Sequence, residues 1–276
     1  MKNILITGAT GFVGHQVLSN LMKTKKKIHV ITRNENDCFL RDNKSKIELI
    51  YTDDLFRQNA DWWAVQCRGI DTVVHIAWYA EPGKYLESIK NIDCLIGSLN
   101  LTKGAIRAGI RRFVGIGTCL EYDLNYGDLS VNTPLKPTTP YAAAKVGLYN
   151  ILSQYLPSVS IEFSWCRLFY LYGEGEDKRR LFPYLHNRLS KGEYVELTSG
   201  DQIRDYLDVS VAGKAITEVA LGKQQGPINI CSGNPITIKK FAEQIADIYN
   251  GRNLLRFGHR PDNSQDPPRI VGIPNL

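Results

Sequence analysis

A tyrosine and a lysine stand four residues apart in a run that otherwise holds only alanine, Tyr141-Ala142-Ala143-Ala144-Lys145. On a helix this spacing places both side chains on one face, and Thr139-Pro140 just before them is typical of a helix start. An isolated tyrosine has a pKa near ~10, and a neighbouring ammonium group lowers that pKa by stabilising the phenolate. We therefore predict that Tyr141 exchanges a proton with a substrate oxygen near neutral pH.

A glycine-rich turn, Thr7-Gly8-Ala9-Thr10-Gly11-Phe12-Val13-Gly14, directly follows the first apolar run and opens a helical pattern. In such a turn the first glycine allows the sharp bend, the second admits a pyrophosphate close to the backbone, and the third lets the helix pack on the strand. The free amides at the helix start then face the phosphates. The pattern predicts a dinucleotide site whose contacts are Gly8, Thr10, Gly11, Phe12, Val13 and Gly14.

The end of the second predicted strand, Val30-Ile31-Thr32-Arg33-Asn34, bears on the choice of dinucleotide. A carboxylate at this place binds the ribose 2′-hydroxyl of NAD, whereas a nearby arginine accommodates the 2′-phosphate of NADP. The tip carries no carboxylate, and Arg33 follows it with a guanidinium group suited to a phosphate. We expect NADP(H) as the preferred cofactor. In the alternative, Arg33 is an ordinary surface arginine and the site takes NAD(H).

Short apolar runs alternate with helical stretches over the first 168 residues, with strands predicted at 2–6, 28–32, 47–51, 72–76, 112–116 and 161–168. This alternation is typical of an α/β fold with a doubly wound parallel Rossmann sheet. We assign residues 1–168 to a dinucleotide-binding domain, to which parts of 205–232 return. Residues 169–276 form mainly a small, discontinuous C-terminal substrate-binding lobe, and the tail from 260 to 276 is expected to be irregular.

Composition narrows the classes of partner. The chain has 34 Lys and Arg against 28 Asp and Glu, for a net charge of +6. The only dense basic run, at 23–27, reads as a solvated loop, so we expect no nucleic-acid partner. No apolar run is long enough to span a bilayer, and no signal peptide opens the chain, so we expect a cytoplasmic protein without a membrane partner. The six scattered cysteines and five histidines give no metal motif.

The motifs T-G-x-x-G-x-x-G and Y-x-x-x-K together resemble those of the extended short-chain dehydrogenase/reductase family, of the NAD-dependent epimerase/dehydratase type. The resemblance implies that Thr118, in a family-like S/T-x-x-x-Y stretch, is the hydroxyl partner of Tyr141. It also implies that Lys145 holds the nicotinamide ribose. The segment His75-Ile76-Ala77-Trp78 is similar to the stretch along the cofactor, with Trp78 where a small residue is usual. The further cofactor contacts implied are Asp54, Leu55 and Ala77.

Other segments resemble the substrate-binding parts of nucleotide-sugar members of the family. The segment 166–173 is similar to R-x-x-N-x-Y-G, with Tyr170 in place of the asparagine. Arg204 opens a stretch similar to R-D-Y/F-x-x-V, in which the arginine contacts the substrate diphosphate, as a buried cation suits a phosphate. Arg269 is either a second such arginine or a solvated charge. Trp78 and Tyr170 are expected to line the substrate pocket.

The resemblance also bears on the reaction. Family dehydratases place an acid–base pair directly after the hydroxyl residue, but this chain has Cys119 and Leu120 there, which disfavours dehydration. Glu121 lies one residue further on, on the other side of an extended chain. The motifs are most similar to those of reductases of nucleotide-linked 4-keto-6-deoxyhexoses. We therefore expect NADPH-dependent reduction of a keto group, at C4, with Tyr141 as the proton donor.

Two alternatives stay open at this point. One is a nucleotide-sugar epimerase that keeps NAD tightly bound. The other is a non-catalytic dinucleotide-sensing protein, although such proteins typically lose the tyrosine or the lysine. The resemblance further implies a homodimer, joined through the helices predicted at 85–108 and 141–155. At helical spacing, Leu95, Leu99, Thr102 and Ile106 form its seam or else face the sheet.

Overall fold

The strands of this chain build one large sheet and two small ones. The structure is a computed structural model that describes residues 3–34, 37–263 and 266–276. Within those residues the strands are β1 (Asn3–Thr7), β2 (Lys27–Thr32), β3 (Ile47–Tyr51), β4 (Thr72–His75), β5 (Arg112–Thr118), β6 (Asp128–Leu129), β7 (Glu162–Leu168), β8 (Tyr170–Tyr172), β9 (Val195–Glu196), β10 (Ile203–Asp208), β11 (Gly226–Ile230), β12 (Pro235–Thr237), β13 (Leu255–Arg256) and β14 (Arg269–Gly272).

The large sheet has seven parallel strands in the order β3-β2-β1-β4-β5-β7-β11. The strand order reverses between β1 and β4, and ligands of such sheets bind beyond the carboxyl ends of the strands at this point. The predicted doubly wound Rossmann sheet is confirmed. Strand β11 reaches its edge from late in the chain and pairs with β7, so that Ile228 lies beside Cys166.

Helices cover both faces of this sheet. The helices of the described residues are α1 (Phe12–Leu21), α2 (Cys38–Asp42), α3 (Ala60–Gln66), α4 (Lys90–Arg107), α5 (Pro140–Ser158), α6 (Leu181–Leu189), α7 (Val209–Leu221) and α8 (Ile238–Ile248). Of these, α6 and α8 pack on each other in a separate core cluster away from the large sheet. One core cluster joins α1 and α7 to the sheet through side chains such as Leu18 and Ile216. A second cluster joins α3, α4 and α5 to the other face through Trp63, Leu101 and Leu148. Burial of these apolar faces fixes the strand ends that carry the site.

The tail corrects one expectation, because it is not irregular throughout. Residues 269–272 form β14, which lies parallel to β10 on one side and to β6 on the other. Ile270 and Val271 are both buried in this small sheet. The short strand was hidden in the sequence because Pro267 and Pro268 directly precede it, and proline is depleted in strands. The same sheet contains β12, and β8 pairs with β10.

The long central helix also differs from its prediction. Helix α4 begins at Lys90 rather than near residue 85, because the Asn91 side-chain amide donates to the carbonyls of Tyr85 and Ser88 in a preceding turn. The proposed seam residues Leu95, Leu99 and Ile106 pack against the core cluster, so they face the protein interior. The exposed apolar side chains of this region are instead Ile89, Ile92 and Ile96. In the described part of the chain, no helix is both long and apolar enough to cross a membrane.

Candidate active site

A cavity of about 1560 Å³ opens beyond the carboxyl ends of β1, β4 and β5. It brings together most of the residues that the sequence indicated, from segments more than 160 residues apart in the chain order. Those that line it are Gly8, Thr10, Gly11, Phe12, Val13, Gly14, Arg33, Asp54, Leu55, Ala77, Trp78, Thr118, Tyr141, Lys145 and Tyr170. Arg204 and Arg269 are not among the lining residues.

The glycine turn at one end of the cavity leaves no room for side chains. Gly8 has a φ of +74°, and a Cβ there would lie 2.6 Å from the backbone nitrogen of Ala77. A Cβ on Gly14 would lie 1.9 Å from the Gly8 carbonyl oxygen. The N-cap of α1 is Gly11, which has no side chain to accept from the first-turn amides. These amides therefore suit an anionic ligand, and the residues fit the pyrophosphate of a dinucleotide.

His75 ties the glycine turn to its neighbours by a fixed set of hydrogen bonds. Its Nδ1 lies 2.8 Å from the Thr7 hydroxyl and its Nε2 2.7 Å from the Ser98 hydroxyl. Ser98 donates its proton to the Cys94 carbonyl, so the histidine Nε2 donates to Ser98 and Nδ1 accepts from Thr7. Burial lowers the pKa of His75 to about 3, which keeps the ring neutral. The histidine is thus a structural link, and it orients the strand end that carries Ala77.

The end of the cavity next to β2 is lined by three residues that the sequence indicated, namely Arg33, Asp54 and Leu55. Arg33 is exposed and lines the cavity just after β2, while the Thr32 hydroxyl accepts from the Asn34 amide. The Asp54 carboxylate accepts from the Phe56 amide at 2.9 Å and begins a short 3-10 turn. The adjacent Leu55 is buried and contributes an apolar wall. Arg33, Asp54 and Leu55 therefore lie together at the end of the cavity next to β2.

Tyr141, Lys145 and Thr118 meet at the middle of the cavity. Tyr141 and Lys145 lie on the first turns of α5, which begins behind the Thr139 cap and Pro140. Thr118 is the last residue of β5, and its side chain lies close enough to the Tyr141 phenol to lower the pKa of that phenol. Strand and helix thus converge on one point, and the phenol and the hydroxyl group can hold the same substrate oxygen between them.

The pKa of Tyr141 departs from the sequence expectation. Burial raises it well above its ordinary value, and the nearby Tyr85, Glu121 and Cys119 raise it further. The Thr118 hydrogen bond lowers it by less than these groups raise it. The predicted acidification by Lys145 is therefore not what this environment produces, because desolvation outweighs it. Tyr141 holds its proton at neutral pH and is poised to donate rather than to accept one.

Lys145 is almost fully buried, and its ammonium group has few partners. Its Nζ donates to the Ile116 carbonyl at 2.7 Å and lies 3.8 Å from the centre of the Trp78 ring. Burial lowers the pKa of Lys145 to about 7, although the Glu121 carboxylate opposes this shift. Trp78 is itself anchored, because its Nε1 donates to the Asn91 side chain at 2.9 Å. The indole that replaces a small residue thus forms the wall against which Lys145 rests.

The two arginines expected to bind the substrate diphosphate do not reach the cavity. Arg204 is buried behind Asp266, whose carboxylate lies 2.6 Å from its Nη2 and lines the cavity in its place. Arg269 projects from β14 and donates to the Asp128 carboxylate on the neighbouring β6 at 2.7 Å. The guanidinium groups of Arg204 and Arg269 are thus paired with carboxylates of the protein, those of Asp266 and Asp128. Their contacts with a substrate diphosphate stay a prediction.

Other charged residues, missed in the sequence, line the cavity instead. Arg180 and Arg260 both do so, and each lies against a tyrosine ring, at 6.0 Å for Arg180 and 4.8 Å for Arg260. Glu176 also lines it, and burial raises its pKa to about 7. The only sequence signal for these residues was their place in polar loops that follow glycine or precede proline. No group of three or more His, Cys, Asp or Glu suited to a metal occurs within the described ranges.

Comparison with known proteins assigns the family. The sequence model of the NAD dependent epimerase/dehydratase family matches residues 4–231. The chain belongs to this family. One relative is dTDP-6-deoxy-L-talose 4-dehydrogenase (NAD(+)) from Aggregatibacter actinomycetemcomitans. It is 27% identical to this chain, and the match covers 98% of this chain and 99% of the relative. CDP-abequose synthase from Salmonella typhimurium is 24% identical over 92% of this chain and 84% of its own length.

Solved structures of the epimerase/dehydratase family share the fold. UDP-N-acetylglucosamine 4-epimerase from Methanobrevibacter ruminantium, in complex with UDP-N-acetylmuramic acid, superposes with a TM-score of 0.87 at 21% identity, over 99% of this chain and 89% of that one. The dTDP-glucose 4,6-dehydratase DesIV from Streptomyces venezuelae, with NAD bound, gives a TM-score of 0.83 at 21% identity, over 99% of this chain and 88% of that one. At this identity the similarity establishes the fold alone.

Proposed function

We propose that this family member reduces a keto group, at C4, of a nucleotide-linked deoxysugar with a nicotinamide dinucleotide. The observation that carries the proposal is the meeting of Tyr141 and Thr118 over Lys145, inside a cavity that begins at the glycine turn. The relative from A. actinomycetemcomitans is named as a 4-dehydrogenase of such a sugar. A 4-dehydrogenase and a 4-ketoreductase catalyse the two directions of one reaction.

The side chains favour the reducing direction near neutral pH. A bound reduced nicotinamide supplies the hydride for the keto carbon. Negative charge then develops on the keto oxygen, to which Tyr141 gives its phenolic proton, and Thr118 donates a hydrogen bond to the same oxygen. Because burial keeps Tyr141 protonated, the acid form required for reduction is already present. We assign Lys145, which lines the cavity beside Trp78, to the nicotinamide ribose.

The diphosphate of the substrate requires cations, and we assign it to Arg260 and Arg180 in place of Arg204 and Arg269. Both arginines line the cavity, and neither forms the close carboxylate pair that holds Arg204 and Arg269. A guanidinium group binds a phosphate through two parallel hydrogen bonds. With this assignment, the cations that bind the diphosphate are residues that line the cavity.

For the cofactor we propose a preference for NADPH, which rests on Arg33 and on the absence of a carboxylate at the described end of β2. The relative named above carries NAD(+) in its name, so the two dinucleotides must be compared directly. The proposed assembly is a homodimer. It would bury the exposed side chains of Ile92 and Ile96 on α4 and of Ile151 and Tyr155 on α5, which packs against α4.

The function is tested by incubating the protein with a panel of nucleotide-linked 4-keto-6-deoxyhexoses and following the absorbance of NADPH and, separately, of NADH. We expect one or more of the sugars to be reduced with consumption of the dinucleotide. The competing function is that of an epimerase, which would interconvert sugar epimers without net consumption and would carry NAD through purification. Epimer formation without loss of NADPH or NADH would refute the reductase proposal.

A further inference from the structure

A buried carboxylate lies directly behind the reacting groups. Glu121 is completely buried at the end of the short turn that follows Thr118. Its Oε1 accepts from the Thr118 backbone amide at 2.9 Å, while the Thr118 hydroxyl accepts from the Leu120 amide at 3.3 Å. These two bonds form a reciprocal cap. Because one lone pair of the Thr118 hydroxyl is taken by Leu120, its proton is left to point toward Tyr141 and the substrate.

The carboxylate is in turn held by strand β7. Trp165 donates its indole N–H to Glu121 at 3.0 Å, and Arg167 donates Nε at 2.7 Å. Arg167 also donates to the Tyr122 hydroxyl, which donates to the Asn229 side chain on β11. All of these groups are buried. The turn that carries Thr118 is thus attached by polar contacts to two strands of the large sheet, and its position does not depend on loop packing alone.

We propose that Glu121 is a positioning residue, whose carboxylate holds the turn after β5 so that the Thr118 hydroxyl is fixed in direction beside Tyr141 and Lys145. This inference rests on the proposed reductase function for its kinetic consequences. The sequence had placed Glu121 on the far side of the strand and given it no role. The short helical turn after β5 folds the carboxylate back toward Thr118, which an extended chain would not do.

The charge of Glu121 acts on two titrating groups of opposite kind. It raises the pKa of Tyr141 and also that of Lys145, so it favours the neutral phenol and the charged ammonium together. Both are the forms that proton donation and ribose binding require. The other ionisable groups that act on this pair are Tyr85, Cys94, Cys119 and His75.

Removal of Glu121 alone would leave the buried Arg167 charge without its partner, and loss of folding would then hide the effect. Two double variants avoid this problem. Glu121→Gln with Arg167→Met keeps a carbonyl oxygen for the Thr118 amide, whereas Glu121→Leu with Arg167→Met does not. Both variants lack the two charges and the contact between Arg167 and Tyr122, so they differ in the hydrogen bonds that the residue-121 side chain can accept from the Thr118 amide and the Trp165 indole. Comparable melting temperatures for the two would establish that they are matched.

In steady-state reduction we expect the leucine double variant to lose at least about 10²-fold in kcat relative to the glutamine double variant, with a similar KM, because a misdirected Thr118 no longer stabilises the developing oxyanion. Equal kcat values in the two doubles would overturn the positioning role.

A measurement without substrate separates this inference from the function itself. In protein labelled with [¹⁵N]threonine, the Thr118 amide is identified by its loss in Thr118→Ser, and its hydrogen exchange is followed in D₂O. We expect the Thr118 amide to exchange at least about 10-fold faster in the variant with Glu121→Leu and Arg167→Met than in the variant with Glu121→Gln and Arg167→Met. Equal protection would overturn the proposed contact. If the wild-type protein reduced none of the sugars, the proposed function would fail, while this exchange comparison would still decide whether Glu121 fixes Thr118.

Discussion

Lys145→Met should change the pH dependence of stability more than any exposed lysine substitution. The Lys145 pKa falls from its ordinary 10.5 to about 7 in the folded protein. Between these values the unfolded chain keeps the proton and the folded chain releases it. Folding stability therefore rises with pH in this window, and the cost of burying the ammonium group is fully present below pH 7. Methionine fills a similar volume and has no such cost.

The magnitude follows from the slope. Each pH unit within the window corresponds to about 1.36 kcal/mol of unfolding free energy. Between pH 7 and pH 9, the unfolding free energy of the wild type should therefore increase by roughly 3 kcal/mol relative to that of Lys145→Met. Loss of the hydrogen bond to the Ile116 carbonyl also destabilises the variant, but that term is independent of pH. This loss shifts the difference in unfolding free energy between wild type and variant by the same amount at every pH, so the slope of that difference against pH is unchanged.

The assay is urea unfolding of both proteins at a series of pH values under reducing conditions. Subtracting the two curves cancels the other titrating groups. Lys103→Met, on the exposed face of α4, is the matched control, and its stability should stay within about 0.5 kcal/mol of the wild type. A difference between wild type and Lys145→Met that does not change from pH 7 to pH 9 would refute the argument that burial governs this lysine.

Three further predictions concern the cavity. Tyr141→Phe should lower kcat by at least about 10²-fold while dinucleotide binding is retained, since only the proton donor is lost; an unchanged kcat in the reduction assay would contradict its role. Gly14→Ala should abolish dinucleotide binding measured by calorimetry, because its Cβ would lie 1.9 Å from the Gly8 oxygen, whereas Gly147→Ala on α5, whose nearest atom is 3.9 Å away, should bind normally. Arg33→Ala should weaken NADPH binding by at least about tenfold and leave NADH binding unchanged; equal binding of the two dinucleotides by the wild type would refute the NADPH preference.

The sequence predicted the large sheet well because the relevant signals are local. Alternating apolar runs and helical periodicity specify parallel strands, and the glycine turn marks the strand end where a phosphate binds. Tyr141 and Lys145 were found for the same reason, since their relation is a spacing on one helix. Short-range geometry therefore identified the residues that line the cavity at its dinucleotide end.

The errors arose where the outcome depends on contacts distant in sequence. The motif of Arg204 gave no sign of its ion pair with Asp266, some sixty positions later, and its substrate contact stays a prediction. The acidity of Tyr141 was misjudged because a four-residue spacing reveals a nearby lysine and does not reveal burial. Glu121 was set aside because a 3-10 turn after β5 cannot be recognised from its three residues. Each case is settled by tertiary packing, which no local pattern records.

Trp78 gives the cavity an optical readout of its own. It is the tryptophan that lines the cavity, and its indole lies against Lys145, where a nicotinamide ribose would bind. A reduced nicotinamide absorbs in the range of indole emission, so its arrival should quench the Trp78 contribution to intrinsic fluorescence by energy transfer. Dinucleotide titrations can then be followed without a label or a substrate. The Trp78→Phe variant is the control, because it lacks the emission of this tryptophan. The bulky residue that stands where the family motif usually has a small one therefore also makes ligand binding directly observable.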